Sequence, residues 1–322
     1  MLEGTRAPRG FSSYRLVVLG VVWGVTFPVG RLGVSAGANP FLLVVVDLLL
    51  AVALSALFAG AFRTRFPSLR GALESAGAGA LLIGGINLPL FWGLQYATGS
   101  VASILYAASP LLSLVILLLL GSQRGNLRLE TAALALGVAG VAAVALASGG
   151  AVVGNPIGLA AFGLGALCQG TGAVLLGRLR PSGENLWGQT FQFAGAAGAS
   201  VVVLAVWAQP LALPMTAPVV GSILYVGAAS MALGYILFFG LLRDDGAVRA
   251  NQVTLVNPVV ALLFGVLVVS EPFRLPEIAG LLLILLALVL LQLHHEQTMI
   301  RARQPIERSR GHSPRPHLIA RP

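Results

Sequence analysis

Ten apolar stretches, each near the length a helix needs to cross a bilayer, follow one another from residue 14 to residue 293. They run 14–34, 40–62, 72–96, 98–120, 128–148, 155–177, 186–207, 217–240, 247–269 and 275–293, with breaks marked by Gly, Pro, Asn and Arg. Hydrocarbon offers no water to backbone N–H and C=O groups, so each stretch must satisfy its own, as a helix does. The fold class expected is therefore an all-α integral membrane protein with ten transmembrane helices. Composition removes the alternatives. Only 10% of residues are charged, against about 25% in an ordinary soluble domain. Disorder over most of the length would need the reverse balance.

All 20 basic residues are arginine, and they alternate. Arg6, Arg9 and Arg15 precede the first stretch; Arg63, Arg65 and Arg70 follow the second. Arg124 and Arg128, Arg178 and Arg180, and Arg243 and Arg249 follow the fourth, sixth and eighth. Six more lie beyond residue 293, which leaves only Arg274 on the opposite side and Arg31 inside the first stretch. Short loops biased in this way face the cytoplasm, so both termini are expected there. The net charge of +9 is thus read as topology, with no nucleic-acid partner. The start of the chain resembles a secretory signal with Ala36-Gly37-Ala38 as its cleavage site. The apolar run is too long for that and contains Arg31, so it is kept as the first span.

A shift of 148 residues lays one half over the other: Pro110 falls on Pro258, Ser122 on Ser270 and Ala102 on Ala250. Five spans per half force opposite orientations, so residues 14–148 and 155–293 are expected to be two inverted five-helix repeats. They are flanked by a cytoplasmic segment, 1–13, and a basic tail, 294–322, expected to be disordered. The same shift aligns Ser103, Tyr106 and Pro110 with Asn251, Thr254 and Pro258, and Asn87 with Tyr235. Spacings of three and four put each trio on one helical face. Polar groups are costly against lipid, so these faces should look inward, onto a central pathway. The alternative is that they only glue and kink helices.

Trp23-Gly24 with Phe27, Asn87 with Phe91-Trp92, Tyr225 and Gly227 with Gly234-Tyr235, and the run from Gly246-Ala247 through Asn257-Pro258 to Ser270-Glu271-Pro272 resemble EamA-like transporters of the drug/metabolite transporter superfamily. The resemblance covers about 14–293. It implies secondary transport of small metabolites or drugs, often efflux, without ATP hydrolysis. Two positions depart from the family pattern. Gln123 stands where the family often has a glutamate matching Glu271, and Asp47 lies in the span where it often has an arginine.

Asp47 is the only acid deep inside a stretch, about 10 Å from its outer end at 1.5 Å per residue. An intramembrane carboxyl defaults to a functional role. Here two roles compete: carrying a proton, or pairing permanently with Arg31 on the preceding helix. Gln192 lies at similar depth in the seventh stretch as a pseudo-symmetric counterpart. Gln169, Trp92, Tyr106 and Tyr235 are further candidates to line the pathway, since aromatic faces hold cations or flat rings. Gly20 and Gly24 form a G-x-x-x-G face for close helix contact. Cys168 reads as a small buried apolar residue. Nothing points to an enzyme, a cofactor or a metal. There is no phosphate-binding loop or H-E-x-x-H, and all four histidines lie in the tail. The expected partners are the lipid bilayer and a small-molecule substrate, with a homodimer left open. A carrier, a passive channel or facilitator, and a membrane scaffold or sensor are the readings carried forward.

Overall fold

The computed structural model describes residues 9–120, 126–147, 155–179, 185–207, 210–245, 252–272 and 274–310. Among them the regular structure is helical throughout. The first half comprises α1 (Arg9–Ser35), α2 (Pro40–Ala61), α3 (Leu69–Gly79), α4 (Gly85–Gly93), α5 (Gly99–Tyr106), α6 (Ser109–Leu119) and α7 (Leu127–Ala147). The second comprises α8 (Pro156–Leu179), α9 (Leu186–Val206), α10 (Ala217–Ile223), α11 (Gly234–Asp245), α12 (Val253–Leu267) and α13 (Leu275–Arg310). Among the described residues seven helical rods, one of them α5 followed by α6, are long and apolar enough to cross a membrane, and Val253–Leu267 is a shorter apolar helix. Exposed leucines and valines such as Leu57, Leu81, Leu119, Val202 and Leu282 coat the outside, a surface suited to lipid rather than water.

Two rods contain a widened turn. Ala80–Gly84 is π-helical between α3 and α4, and Leu224–Leu233 is π-helical between α10 and α11. A π segment inserts a residue and disturbs the regular carbonyl pairing. Side chains use the carbonyls it presents. Asn87 Nδ2 donates to Ile83 O at 2.8 Å, Trp23 Nε1 to Ser230 O at 3.0 Å and Gln189 Nε2 to Ala232 O at 3.2 Å. The 148-residue shift carries 80–84 onto 228–232, inside the second π segment.

Turns and caps follow from local chemistry. Gly37, at φ +94°, makes the turn between α1 and α2, where a side chain would be strained. Asn39 Oδ1 then caps α2 by accepting from Phe41 N and Leu42 N, both at 3.0 Å. Thr98 Oγ1 caps α5. Pro110 enters at the start of α6, where its missing N–H costs little.

The helices associate in a regular set of pairs: α1 with α12 and α6 with α8; α3 with α9 and the second π segment with α2; α4 with α8 and α1 with α10 and α11. The helices α2 and α9 pack on each other, as do α7 and α13. Small residues allow these approaches. A Cβ at Gly24 would stand 2.7 Å from Asn257 O, and one at Gly227 would stand 2.8 Å from Asp47 O. Gly79 abuts Gln192 O in the corresponding contact of the other half. Gly20 rests on Val256, so the G-x-x-x-G face does make the expected close contact.

Two expectations change. The fourth stretch is not one unbroken helix: Ala107 and Ala108 form a turn between α5 and α6, directly ahead of Pro110. Residues 294–310, expected to be disordered, continue α13. That segment has no glycine and is rich in Arg, Gln and Glu, which favour helix. In the ninth stretch Val253–Leu267 is helical; residues 246–251, including Asn251, lie outside the described residues.

Candidate functional site

Where α1, α4, α5, α8, α12 and the second π segment converge, they leave a cavity of about 110 Å³. Trp23, Phe27, Tyr106 and Tyr235 supply its aromatic faces; Thr26, Asn87, Ser103, Gln169, Ser230, Thr254 and Asn257 supply hydroxyls and amides. No lining residue carries a formal charge. Both halves of the chain contribute.

The aromatic wall is built edge to face, the arrangement ring quadrupoles prefer. Phe27 meets Tyr106 at 5.6 Å between centroids and Trp23 meets Tyr235 at 5.4 Å, while Phe193 backs Tyr235 at 5.4 Å. The polar wall is partly satisfied from within. Thr26 Oγ1 donates to Ser230 Oγ at 2.7 Å and Tyr225 donates to Val22 O at 3.1 Å. With its amide nitrogen donating, Asn257 reaches Gly20 O at 3.2 Å. Two atoms in the cavity have no protein partner: Ser103 Oγ and Gln169 Oε1, both buried. A buried polar atom left unpaired costs about 1–3 kcal/mol, so these are where a guest's hydrogen-bonding groups gain most.

Six of the expected pathway residues therefore meet in one place: Asn87, Ser103, Tyr106, Gln169, Tyr235 and Thr254. Four others lie elsewhere. Trp92 packs against Tyr96 and Trp207, at 5.2 and 5.9 Å, at the far end of α4. Gln192 contributes its backbone carbonyl to the contact with Gly79. Pro110 and Pro258 shape α6 and α12 and do not line the space. Asn251 is outside the described residues. Trp23, Thr26, Phe27, Ser230, Met231 and Asn257 are lining residues the repeat comparison did not reach.

The Arg31–Asp47 ion pair does not form. Arg31 Nη1 donates to Leu94 O, at 2.7 Å, and to Ala97 O. Asp47 is 0% exposed and neither carboxyl oxygen has a hydrogen-bond partner. The long guanidinium finds unpaired carbonyls at the end of α4, a ready set of acceptors.

A second cavity, about 480 Å³, is larger and of another kind. Leu105, Leu111, Leu134, Val138, Val141 and Leu167 line it. Val138 and Leu167 are also exposed on the lipid-facing side. It has no hydrogen-bonding side chain to select a solute, so the smaller polar cavity is the candidate site. Among the described residues no cluster of His, Cys, Asp and Glu could hold a metal ion.

A bundle of membrane-length helices around an uncharged polar cavity shared by two halves suits a membrane transporter. The EamA-like transporter family profile matches twice, over residues 13–146 and 156–293, and the chain belongs to that family. It is 29% identical over 289 residues to the uncharacterized inner membrane transporter YedA of Escherichia coli (strain K12), across 86% of this chain and 89% of that one. It is 25% identical over 290 residues to the uncharacterized transporter YvbV of Bacillus subtilis (strain 168), across 88% and 92%. A solved crystal structure with 18% identity superposes with a TM-score of 0.62, over 90% of this chain and 99% of that one, and so shares the fold. The protein is a multi-pass membrane transporter; its family and these relatives are transporters, not enzymes.

Proposed function

We propose that this protein is a secondary carrier that exports small, uncharged metabolites or drugs by alternating access to the cavity between its halves. The observation that carries the reading is the cavity itself. It is lined from both halves, aromatic on one wall, uncharged throughout, and has Ser103 Oγ and Gln169 Oε1 unpaired. A charged solute would lose its hydration there without gaining a counter-charge. A flat solute with a hydrogen-bond donor would stack on Phe27 and Tyr106 and bond to Gln169 Oε1.

The volume bears on mechanism. Ligand sites usually enclose about 300–1,000 Å³, and this one holds about 110 Å³. Loading a solute requires the walls to part. Two inverted five-helix repeats, 14–148 and 155–293, supply a way to do so by rocking. Several features support that division: the double family match, the π segments that overlap under the 148-residue shift, and the paired contacts of Gly79 with Gln192 O and Gly227 with Asp47 O. We place both termini in the cytoplasm on the arginine bias. The Arg15–Asp244 ion pair, 2.8 Å, agrees, since it joins the ends of α1 and α11 assigned to that side.

With Arg31 engaged elsewhere, Asp47 is read as a proton carrier that couples transport to the proton gradient. The experiment is counterflow in proteoliposomes. Saturable counterflow that Gln169→Leu abolishes supports the carrier. Flux that rises linearly with concentration marks a channel and rejects it.

A further inference from the structure

We propose that Glu271 is the latch that holds one end of this pathway shut, reaching across from the second half to the first; the inference rests on the cavity being the transport pathway. Glu271 belongs to the loop between α12 and α13, yet it caps α5. Gly99 N donates to Oε1 at 2.8 Å, Ser100 N to Oε2 at 2.9 Å and Ser100 Oγ to Oε2 at 2.6 Å. Glu271 is only 6% exposed. Three donors on one buried carboxylate, two of them at a helix N-terminus, make a strong contact between distant parts of a chain.

The loop is shaped for this contact. Ser270 sits at φ +58°, a conformation that a non-glycine residue adopts at a cost. Glu271 N then donates to Gly265 O at 2.8 Å. A Cβ on Gly265 would stand 2.6 Å from Glu271 Oε2, so the absence of a side chain there admits the carboxylate. Arg31 secures the same end. Its bonds to Leu94 O and Ala97 O fasten α1 to the turn that leads into α5. α1, the α4–α5 turn and the α12–α13 loop are thus joined at one level.

The position makes the contact a gate. Ser103 and Tyr106, on the cavity wall, lie four and seven residues beyond Gly99 on the same rod. At 1.5 Å per residue they are about 6 and 10 Å from the clasp. A solute leaving the cavity towards this end must part the groups that Glu271 holds together. Parting them strands a buried carboxyl, two N–H groups and a hydroxyl unless water enters, so closure is favoured until the whole end opens. On the arginine bias this is the outer end.

The sequence does not repeat these groups in the other half. The 148-residue shift places Gln123 opposite Glu271, and Ala247-Val248 opposite Gly99-Ser100. An amide replaces the carboxylate and a valine the hydroxyl donor.

The chain has a single cysteine, Cys168, which makes the test direct. In a Cys168→Ala background, Ser103→Cys places a thiol on the cavity wall. Its labelling by a membrane-impermeant maleimide is timed in right-side-out and inside-out vesicles. Slow labelling from the outer side is expected, accelerated at least tenfold by Glu271→Gln and about threefold by the milder Ser100→Ala. Unchanged outer labelling in both Glu271→Gln and Ser100→Ala, in protein that remains monodisperse, overturns the latch. No labelling from either side in any variant sinks the pathway reading, and the latch with it.

Discussion

The seam between α1 and α12 and the pair formed by α7 and α13 are held together in the same way but differ in what surrounds the contact. At the seam Gly20 and Gly24 lie against Val256, Asn257 O and Val260. In the pair the contact is reciprocal: a Cβ at Gly140 would stand 2.8 Å from Gly280 O, and one at Gly280 would stand 2.7 Å from Gly140 O. Beside the pair lie Val144 and Ile284, both buried and apolar. Beside the seam lie Trp23, Thr26, Thr254 and Asn257, facing the cavity. Small residues in a membrane helix report close packing and nothing more. Hydrogen-bonding capacity that the protein leaves unused separates a pathway from a strut.

That contrast can be broken most severely at the strut. Gly140→Leu forces a branched side chain into the carbonyl of a neighbouring helix, and overpacking costs about 1–3 kcal/mol or more. We expect most of the folded protein to be lost, read as the monodisperse peak in detergent. Good yield and full transport would mean that α7 and α13 do not need this contact.

At the cavity the expected effects are on activity, with folding spared. Gln169→Leu removes an unpaired acceptor at nearly constant volume. Transport should fall at least tenfold, about the loss of one hydrogen bond to substrate at 1.4 kcal/mol per decade, with thermal stability unchanged or slightly raised. A large drop in stability would show that Gln169 holds the fold. Asp47→Asn comes next: transport driven by a pH gradient should be lost while exchange at equal pH persists. Intact pH-driven transport would remove Asp47 from the coupling step. The smallest effect is expected at Trp92→Phe, which keeps the cluster with Tyr96 and Trp207 and should leave transport within about twofold, as for other changes remote from a site. A tenfold loss there would extend the pathway beyond the cavity described.

Much of this was legible in the sequence because a bilayer imposes length and a repeat imposes register. The helices that form follow the apolar stretches closely, and the shift that pairs Pro110 with Pro258 also pairs the two π segments. It led to Asn87, Tyr106, Thr254 and Tyr235. It could not lead to Trp23, Thr26 or Phe27, whose 148-shifted partners, Thr171, Val174 and Leu175, do not form a matched polar or aromatic set. The Arg31–Asp47 expectation failed for a related reason. Position along two helices gives depth in the bilayer but not which way each side chain points, and Arg31 points to the carbonyls of Leu94 and Ala97. In the sequence Glu271 stands out only as part of the run that resembles the family, and only the folded chain shows that it caps α5 in the other half.

The most direct measurement compares metabolites in the medium of cells expressing the native protein with those of cells expressing Gln169→Leu at matched membrane abundance. The cavity account predicts that one class of small, uncharged, flat compounds accumulates outside with the native protein and returns to the background level with the variant. Identical profiles from the two, with that class enriched in both, would show that the solute passes by another route.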